Sequence, residues 1–211
     1  MPDGKFITIE GIEGAGKSTT IHRLGLFLKH HGIDHITTRE PGGTVVAEAI
    51  RQLLLGDYQE PVDDITELLL IFASRRQHVR TIIIPALQQG KWVLCDRFTD
   101  ATYAYQGSGR RLPITMINQL HQMVHNTLNP DLTLLLDLDV TQGLTRASKR
   151  SSPDRIEKQA NNFFERVRQG YLKYALSEPN RFRIIDATES QTQVMARIEA
   201  LMQPILDSWR V

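Results

Sequence analysis

The feature that most constrains this chain is a glycine-rich stretch near its amino end, residues 6–20, with the sequence FITIEGIEGAGKSTT. Its pattern G-x-x-x-x-G-K-S lies between an apolar run typical of a strand and an apolar spacing typical of a helix. Such a loop points backbone N–H groups at an anion, at the positive end of the following helix dipole, and its lysine reaches the phosphates of a nucleotide. The sequence therefore predicts a nucleoside triphosphate site, with a tight glycine turn that binds no ligand as the alternative.

The residues expected to contact the phosphates belong to this loop and to the first turn of the helix after it. They are Gly11, Glu13, Gly14, Ala15, Gly16, Lys17, Ser18 and Thr19. Lys17 is the expected phosphate-binding cation and Ser18 the expected Mg²⁺ ligand. A second Mg²⁺ ligand is expected at Asp96, because an apolar strand that ends in Asp is the general form of the second nucleotide-site motif.

The composition narrows the fold class and the compartment. A chain of 211 residues, 41% hydrophobic and 23% charged, suits a single globular α/β domain spanning residues 1–211. The net charge of +1 gives no general argument for nucleic acid or anionic membrane, and no apolar run approaches the roughly 18 residues of a membrane span. Cys95, the only cysteine, cannot form an internal disulfide. We therefore expect a cytoplasmic protein that binds neither nucleic acid nor membrane.

Hydrophobic periodicity predicts strands that alternate with helices along the whole chain. The predicted strands are residues 6–9, 35–38, 91–95, 132–136 and 183–185. The predicted helices are residues 18–30, 45–55, 64–89, 113–125, 141–148, 156–176 and 192–208, with a helical turn or two at 99–105 and a flexible polar loop at 106–111. This alternation indicates a single-domain α/β fold in which helices flank a doubly wound, five-stranded parallel sheet. The phosphate loop after its first strand makes the expected fold one of the P-loop NTPase type. Ligands of such sheets bind at the carboxyl ends of the strands.

A group of arginines lies in loops or near strand ends rather than on evenly charged helix faces: Arg39, Arg75, Arg97, Arg150 and Arg155. Arginine suits bidentate recognition of phosphate, although a surface salt bridge is the alternative for each of them. A second phosphorylated substrate needs such a clamp, whereas a water nucleophile does not. The basic segment 149–155 suits a short lid that closes over the triphosphate and excludes water. These residues favour a phosphoryl transferase, with a nucleotide switch or motor ATPase as the other class.

Several motifs, spread over nearly the whole chain, point to one known family. They are GIEGAGKST at 11–19, TREPGGT at 38–44, ELLL-x-FASR at 67–75, DRF at 96–98, TYAYQG-x-GR at 102–110, PDLTLLLDLD at 130–139 and PDRIE at 153–157. In this order they resemble the bacterial thymidylate kinases. The resemblance implies transfer of a phosphoryl group from ATP to dTMP, giving dTDP, with Mg²⁺ and in a homodimer. A P-loop kinase for another nucleoside monophosphate, or for deoxynucleosides, is the nearest alternative.

The resemblance also implies roles for individual residues. The groups that match the family's catalytic residues are Lys17, Arg97, Arg150, Glu13 and Arg155, with Ser18 and Asp96 at the metal. The groups that match its acceptor site are Arg39, Phe72, Arg75, Arg97, Thr102, Tyr105 and Gln106. Within that site the resemblance assigns Arg39 and Arg97 to the acceptor phosphate. It assigns Arg75, Thr102 and Gln106 to thymine, and it places Glu13 and Tyr105 by the sugar, with Tyr105 crowding the 2′ position.

Two departures from the family's pattern concern the base and the lid. The family commonly stacks thymine on a Phe four residues before the arginine of this helix. That position holds Ile71 here, so the base meets either Ile71 or its neighbour Phe72, which is equally a candidate for the core. The phosphate loop carries no arginine, so the resemblance assigns the arginine on the transferred phosphoryl to the lid, at Arg150 first and Arg155 next. The lid also has Ser-Ser-Pro at 151–153 where relatives have Gly-Glu-Leu, which bears on its dynamics.

Overall fold

The computed structural model describes residues 4–149 and 154–209 of the chain. Its centre is a parallel sheet of five strands in the order β2-β3-β1-β4-β5. The strands are β1 (Phe6–Glu10), β2 (His35–Arg39), β3 (Trp92–Asp96), β4 (Leu132–Asp137) and β5 (Phe182–Asp186). The chain passes from β1 to the edge strand β2, returns to β3, and then crosses β1 to β4 and β5 on the other side. The predicted fold class, a doubly wound parallel sheet, is therefore confirmed.

Helices cover both faces of this sheet. They are α1 (Lys17–His30), α2 (Val45–Leu55), α3 (Asp64–His78), α4 (Ile84–Gln88), α5 (Thr99–Thr102), α6 (Ile114–Val124), α7 (Val140–Ser148), α8 (Asn161–Ser177) and α9 (Gln191–Trp209). Two π-helical segments, Val79–Ile83 and Tyr103–Gly109, continue α3 and α5. Across the described ranges, no helix combines the length and the apolar character that a membrane span requires.

The core has a layer on each face of the sheet, because side chains of a strand point alternately to opposite faces. Ile7 and Ile9 of β1 belong to the layer built with α1 and α9, whereas Phe6 packs with Val93 of β3 and with the π-helical segment after α3. All five residues of β1 are buried, as expected for a central strand of a parallel sheet. Each fully buried aliphatic side chain contributes about 1.5–3 kcal/mol. The central strands are therefore rigid supports for whatever their carboxyl ends carry.

Register brings those carboxyl ends to one edge of the sheet. Asp96 of β3 lies opposite Ile9 of β1 on one side and opposite Arg39 of β2 on the other. The phosphate loop, the segment 40–44 and the segment that begins at Arg97 therefore leave the sheet side by side.

The structure corrects the sequence prediction at three places. The helix predicted at 64–89 is interrupted by the π-helical segment Val79–Ile83, and the helix predicted from 156 begins at Asn161. The polar loop predicted at 106–111 is wrong for residues 106–109, because Tyr103–Gly109 is helical and largely buried. Gly109 permits this packing, since a Cβ atom there would lie 2.7 Å from the ring of Phe163 in α8. Glycine and polar residues hide such close packing from a reading of hydrophobic periodicity.

Candidate active site

A cavity of about 620 Å³ opens at this edge of the sheet, where the three segments leave it. Most residues singled out from the sequence line it: Glu13, Gly14, Gly16, Lys17, Ser18, Thr19, Arg39, Arg75, Asp96, Arg97, Thr102, Tyr105, Gln106 and Arg155. Gly11, Ala15 and Phe72 are not among the lining residues. Arg150, the arginine expected on the transferred phosphoryl, lies outside the residues that the structure describes, as do 151–153 of the expected lid.

One end of the cavity, which we call the phosphate end, is formed by the glycine-rich loop and the start of α1. The loop packs so closely on the sheet that a Cβ atom on Gly11 would lie 2.5 Å from the carbonyl oxygen of Leu136, and both Gly11 and Gly14 have positive φ, 137° and 73°. Only glycine adopts such a path without strain. Because α1 begins at Lys17 and has no acidic residue in its first turn, the positive end of its dipole faces the cavity unopposed.

Lys17 is held across the loop rather than extended into solvent. Its Nζ donates to the carbonyl oxygens of Gly11, at 3.1 Å, and Ile12, at 2.9 Å. Burial, and after it the charge of Arg97, lowers the pKa of Lys17 to about 8, while Asp96 and Glu13 act in the opposite direction. A phosphate group at this position would stabilise the protonated amine, because an opposite charge favours the charged form.

Asp96 and Ser18 offer oxygen ligands for a metal ion at the same end. The Oδ1 atom of Asp96 is buried and, within the described part of the chain, has no hydrogen-bond partner. Ser18 is exposed to the cavity. Within residues 4–149 and 154–209, no group of three or more His, Cys, Asp or Glu side chains could by itself hold a metal. One hydroxyl and one carboxylate fit Mg²⁺, which takes its remaining ligands from water and substrate phosphates.

Arg97 and Glu13 form an ion pair in the middle of the cavity. An Nη2–H of Arg97 donates to Oε1 of Glu13 at 2.9 Å, and the hydroxyl of Tyr105 lies 2.8 Å from both oxygens of the same carboxylate. The guanidinium also lies 4.7 Å from the centre of the Tyr105 ring. Burial tends to lower the pKa of Arg97, but Tyr105, Glu13 and Tyr171 raise it well above its ordinary value. Arg97 is therefore a permanently charged group with a fixed direction.

Glu10 and Tyr171, which lie behind Arg97, were not identified from the sequence. Glu10, buried at the end of β1, accepts from the backbone N–H of Phe98 and from the hydroxyl of Tyr171, both at 2.7 Å. Burial, and next the charge of Asp100, raises the pKa of Glu10 to about 8. Arg97 itself has a φ of 68°, which is uncommon for a residue other than glycine. The hydrogen bond that the Phe98 N–H donates to Glu10 helps to hold this backbone beside the phosphate loop.

Another part of the cavity, which we call the base end after the role expected from the sequence, is lined by Ile71, Arg75, Thr102 and Gln106. Arg75 is almost completely buried, with its Nε donating to Glu40 at 2.6 Å and an Nη2–H donating to the carbonyl oxygen of Phe98 at 3.1 Å. Its Nη1 has no hydrogen-bond partner in the described residues. An unpaired buried donor costs about 1–3 kcal/mol, so this nitrogen suits an acceptor on a ligand.

The two hydrophobic candidates for the base have different surroundings. Phe72 is 2% exposed and belongs to a cluster with Leu68, Ile117 and Val124, between α3 and α6. Ile71 faces the cavity. This placement favours contact of the base with Ile71 and a packing role for Phe72.

Glu67, in α3, connects the base end with the flank of the expected lid. Its buried carboxylate accepts from Nε2 of Gln106 at 2.9 Å, from Arg110 at 3.2 and 3.1 Å, and from Nη2 of Arg155 at 2.5 Å. Burial by itself would raise the pKa of Glu67. The hydrogen bonds and charge of Arg110 and the other partners outweigh burial, so the pKa lies below its ordinary value. Arg155 also donates to the carbonyl oxygen of Leu54 at 2.8 Å. In this arrangement Arg155 is anchored to α2 and α3.

Arg39 lies at the mouth of the cavity. Its Nη2 donates to Glu48 of α2 at 2.8 Å, and the same carboxylate accepts from the backbone N–H of Gly43 at 2.9 Å. The side chain of Arg39 is 53% exposed, so this pair is weak and a phosphate can replace Glu48 as its partner.

A parallel sheet with a phosphate loop after β1, a carboxylate at the end of β3 and an arginine directly after it defines a P-loop phosphotransferase. Comparison with known proteins narrows this class. The model of the family described as thymidylate kinase matches residues 9–198, and this chain belongs to that family. The match confirms the resemblance, the enzyme class and the thymidylate kinase function expected from the sequence.

Individual relatives agree with this assignment. A thymidylate kinase of Ectopseudomonas mendocina is 53% identical over 207 residues, which cover 98% of this chain and 99% of the relative. One of Teredinibacter turnerae is 51% identical over 203 residues, 96% of this chain and 99% of the relative. The crystal structure of thymidylate kinase from Ehrlichia chaffeensis superposes with a TM-score of 0.77 at 35% identity, covering 95% of this chain and 99% of that one.

Proposed function

We propose that the chain transfers the γ-phosphoryl group of ATP to thymidylate (dTMP), giving dTDP, and that the cavity holds both nucleotides end to end. One observation carries this proposal: a single cavity joins a phosphate loop to a separate set of buried groups that includes Nη1 of Arg75, which finds no hydrogen-bond partner in the part of the chain that the structure describes. A hydrolase needs only the first of these, because water requires no binding groups of its own. A kinase needs both.

At the phosphate end, charge and position do the chemical work. Phosphoryl transfer has a loose transition state with little covalent chemistry for the protein, so two anions must be brought together and their charge offset. Lys17 and the start of α1 hold the β- and γ-phosphates, while Arg97 and Arg39 hold the acceptor phosphate. Mg²⁺, held by Ser18 and Asp96 and by the phosphates, supplies further neutralising charge when it is bound.

Glu13 acts through its fixed orientation. A free carboxylate beside phosphates would repel them, but here Arg97 neutralises it and Tyr105 occupies it with a hydrogen bond. The pair keeps Arg97 turned toward the acceptor and leaves Glu13 and Tyr105 beside the sugar. A ribose 2′-hydroxyl would be crowded by the Tyr105 ring, which explains a preference for a deoxynucleotide.

At the base end, Arg75, Thr102 and Gln106 supply hydrogen bonds to thymine, and Ile71 supplies the apolar contact. Segment 149–155 closes over the triphosphate as a lid within the single domain 1–211, and Arg150 provides the arginine on the transferred phosphoryl. Arg155, in contrast, serves as the anchor of that lid on Glu67 and not as the first catalytic choice.

We also propose a homodimer and a cytoplasmic location, with no nucleic acid as partner. Helices α3 and α6 pack together through Phe72 and Ile117 and leave apolar side chains exposed on their outer faces: Ile65 at 44%, Leu69 at 52%, Ile114 at 38% and Met123 at 72%. Ile65 and Leu69, four residues apart, share one face of α3, and an apolar helix face of this kind suits a two-fold interface. Sedimentation should give twice the chain mass of 24.0 kDa, and a species of 24.0 kDa would contradict the dimer.

The test is a coupled assay of ADP release from Mg·ATP with dTMP, dUMP, dCMP, dGMP, dAMP and no acceptor in parallel. Strong release with dTMP, and weaker release at most with dUMP, is the expected result. Release without any acceptor would instead indicate an ATPase. Preference for another base would mean that Arg75, Thr102 and Gln106 have other roles.

A further inference from the structure

A series of hydrogen bonds links Arg75 to Glu40, which also lines the cavity, and continues from Glu40 to His78 and Thr38, which do not line it. Both oxygens of Glu40 are engaged: Oε2 accepts from Nε of Arg75 at 2.6 Å, and Oε1 lies 2.9 Å from Nδ1 of His78. The other ring nitrogen of His78 lies 2.6 Å from the hydroxyl oxygen of Thr38. Glu40 is 4% exposed and His78 0%, so water does not compete with the two bonds that Glu40 makes.

This series of hydrogen bonds leaves the side chain of Arg75 little conformational freedom. Its guanidinium carbon lies 4.9 Å from the centre of the Phe72 ring and 5.2 Å from that of Phe98, so the plane is held between two aromatic side chains. Glu40 and the carbonyl oxygen of Phe98 occupy two of its three nitrogens. The third, Nη1, is the buried donor without a partner in the described residues. Its direction is set by the groups that hold the other two.

His78 in turn ties α3 to the segment that follows β2. A Cβ atom on Gly43 would lie 2.7 Å from the His78 ring, so the segment passes directly against it. The backbone N–H of Gly42 also donates to Ser74 of α3 at 3.2 Å. His78 does not line the cavity, and no role in the reaction follows from its position alone.

The direction of Nη1 has a chemical consequence for base selection. A guanidinium only donates hydrogen bonds. Thymine presents a carbonyl oxygen at position 4 of its ring, whereas cytosine presents an amino group, which is itself a donor. A donor fixed at this place accepts the first base and leaves two donors facing each other with the second. Sites built on such buried polar groups reject a mismatched substrate strongly, because its groups stay unpaired.

We propose that Glu40 and His78 are positioning residues that set base selectivity by fixing Arg75. Neither would touch the reacting atoms: Glu40 acts through the guanidinium and His78 acts through Glu40. The inference rests on the proposed function, because it takes the base end of the cavity to be where the acceptor's base binds.

The experiment compares kcat/KM for dTMP and dCMP in the wild type and in variants of the full-length enzyme. Glu40→Gln should raise KM for dTMP and lower the ratio of dTMP to dCMP by at least about tenfold, with KM for ATP changed less than about threefold. A general loss of structure would lower turnover with both acceptors and would also affect ATP, so the ratio separates positioning from folding.

His78 supplies a second, independent arm. The amide nitrogen of Asn can take the place of Nδ1, so His78→Asn should keep the bond to Glu40 and stay within about twofold of the wild-type ratio, whereas His78→Leu should lower the ratio severalfold. Asp100→Asn is the matched control. Asp100 is 5% exposed, pairs with Arg181 at 2.6 Å and does not line the cavity. The same chemical change there should leave the ratio of dTMP to dCMP unaltered.

Each outcome decides between the two levels of the argument. A wild type that prefers dTMP, with an unchanged ratio in folded Glu40→Gln and His78→Leu, overturns the inference and leaves the proposed function standing. A wild type without preference for dTMP overturns both. Should Glu40→Gln fail to fold, the contrast between His78→Leu and His78→Asn decides the question.

Discussion

At its phosphate end the cavity is formed by one continuous stretch of the chain, whereas at its base end it is lined by residues from separate elements. The phosphate end uses consecutive residues, 11–19, whose shape follows from glycine and from the start of α1. The base end combines Arg75 of α3 with Thr102 of α5 and Gln106 of the π-helical segment. Arg75 is held by Glu40 and Gln106 by Glu67, both distant in the sequence. On the proposed function, phosphate binding would thus be a local property of the sequence, and recognition of the base a property of the folded chain.

Arg97 lies between the two ends and offers the sharpest test of this division. We expect Arg97→Ala to lower kcat/KM for dTMP at least about a hundredfold, the loss typical when one electrostatic stabiliser of a transition state is removed. Arg197→Ala is the control, because Arg197 pairs with Glu189 on the surface and does not line the cavity. Steady-state kinetics measure both, and a loss of only a few-fold for Arg97→Ala would refute its role.

Affinity of the phosphate end for ATP should depend on pH through the protonation of Lys17. The pKa of Lys17 in the free protein is about 8, so the amine is charged below that pH and loses its proton, and its attraction for phosphate, above it. Affinity for ATP, measured by titration calorimetry, should fall by up to about tenfold per pH unit above about pH 8. Lys17→Arg should remove this slope, because guanidinium stays protonated throughout. An identical slope in that variant would assign the titration to another group.

The smallest expected effect on activity concerns the apolar contact at the base end. Ile71→Ala should raise KM for dTMP about fivefold, because it removes a few carbon atoms from the pocket and leaves the core intact. Phe72→Ala should lower the free energy of unfolding by about 3–5 kcal/mol, since Phe72 is buried in the cluster between α3 and α6. Kinetics and denaturant titration of both variants test the division. Reversed effects would place Phe72 against the base.

How much could be predicted from the sequence follows the same division. The sheet, its strand number and the phosphate loop were predictable because each depends on neighbouring residues. Asp96 was predictable because it ends a buried strand. Glu10, Glu40 and His78 were missed, although a carboxylate beside Gly11 and another beside Arg39 are visible signals. Their meaning depends on partners up to 161 residues away, as in the bond from Tyr171 to Glu10.

Residues 106–109 of the helical segment Tyr103–Gly109 were missed for a related reason, whereas its first three residues fall within the helical turns predicted at 99–105. Its sequence, YAYQGSG, has the composition of a loop, and only packing against α8 makes it helical. Tertiary contact overrides local preference here, as it commonly does. The side chains of Tyr105 and Gln106 reach the cavity because of that override.

The carboxylate of Glu67 has a consequence for how this protein can vary over evolutionary time. It is the shared partner of Arg110 and Arg155, whose side chains are only 12% and 15% exposed, and of Gln106. Loss of Glu67 alone would remove the carboxylate that Arg155 shares with Arg110 and would leave Arg110 only its half-exposed partner Asp64, at 3.3 Å, which destabilises the fold. Neutral drift at position 67 therefore requires compensating substitutions at 110 and 155. These three positions should be inherited as a unit, so that a lineage that changes one of them changes the others.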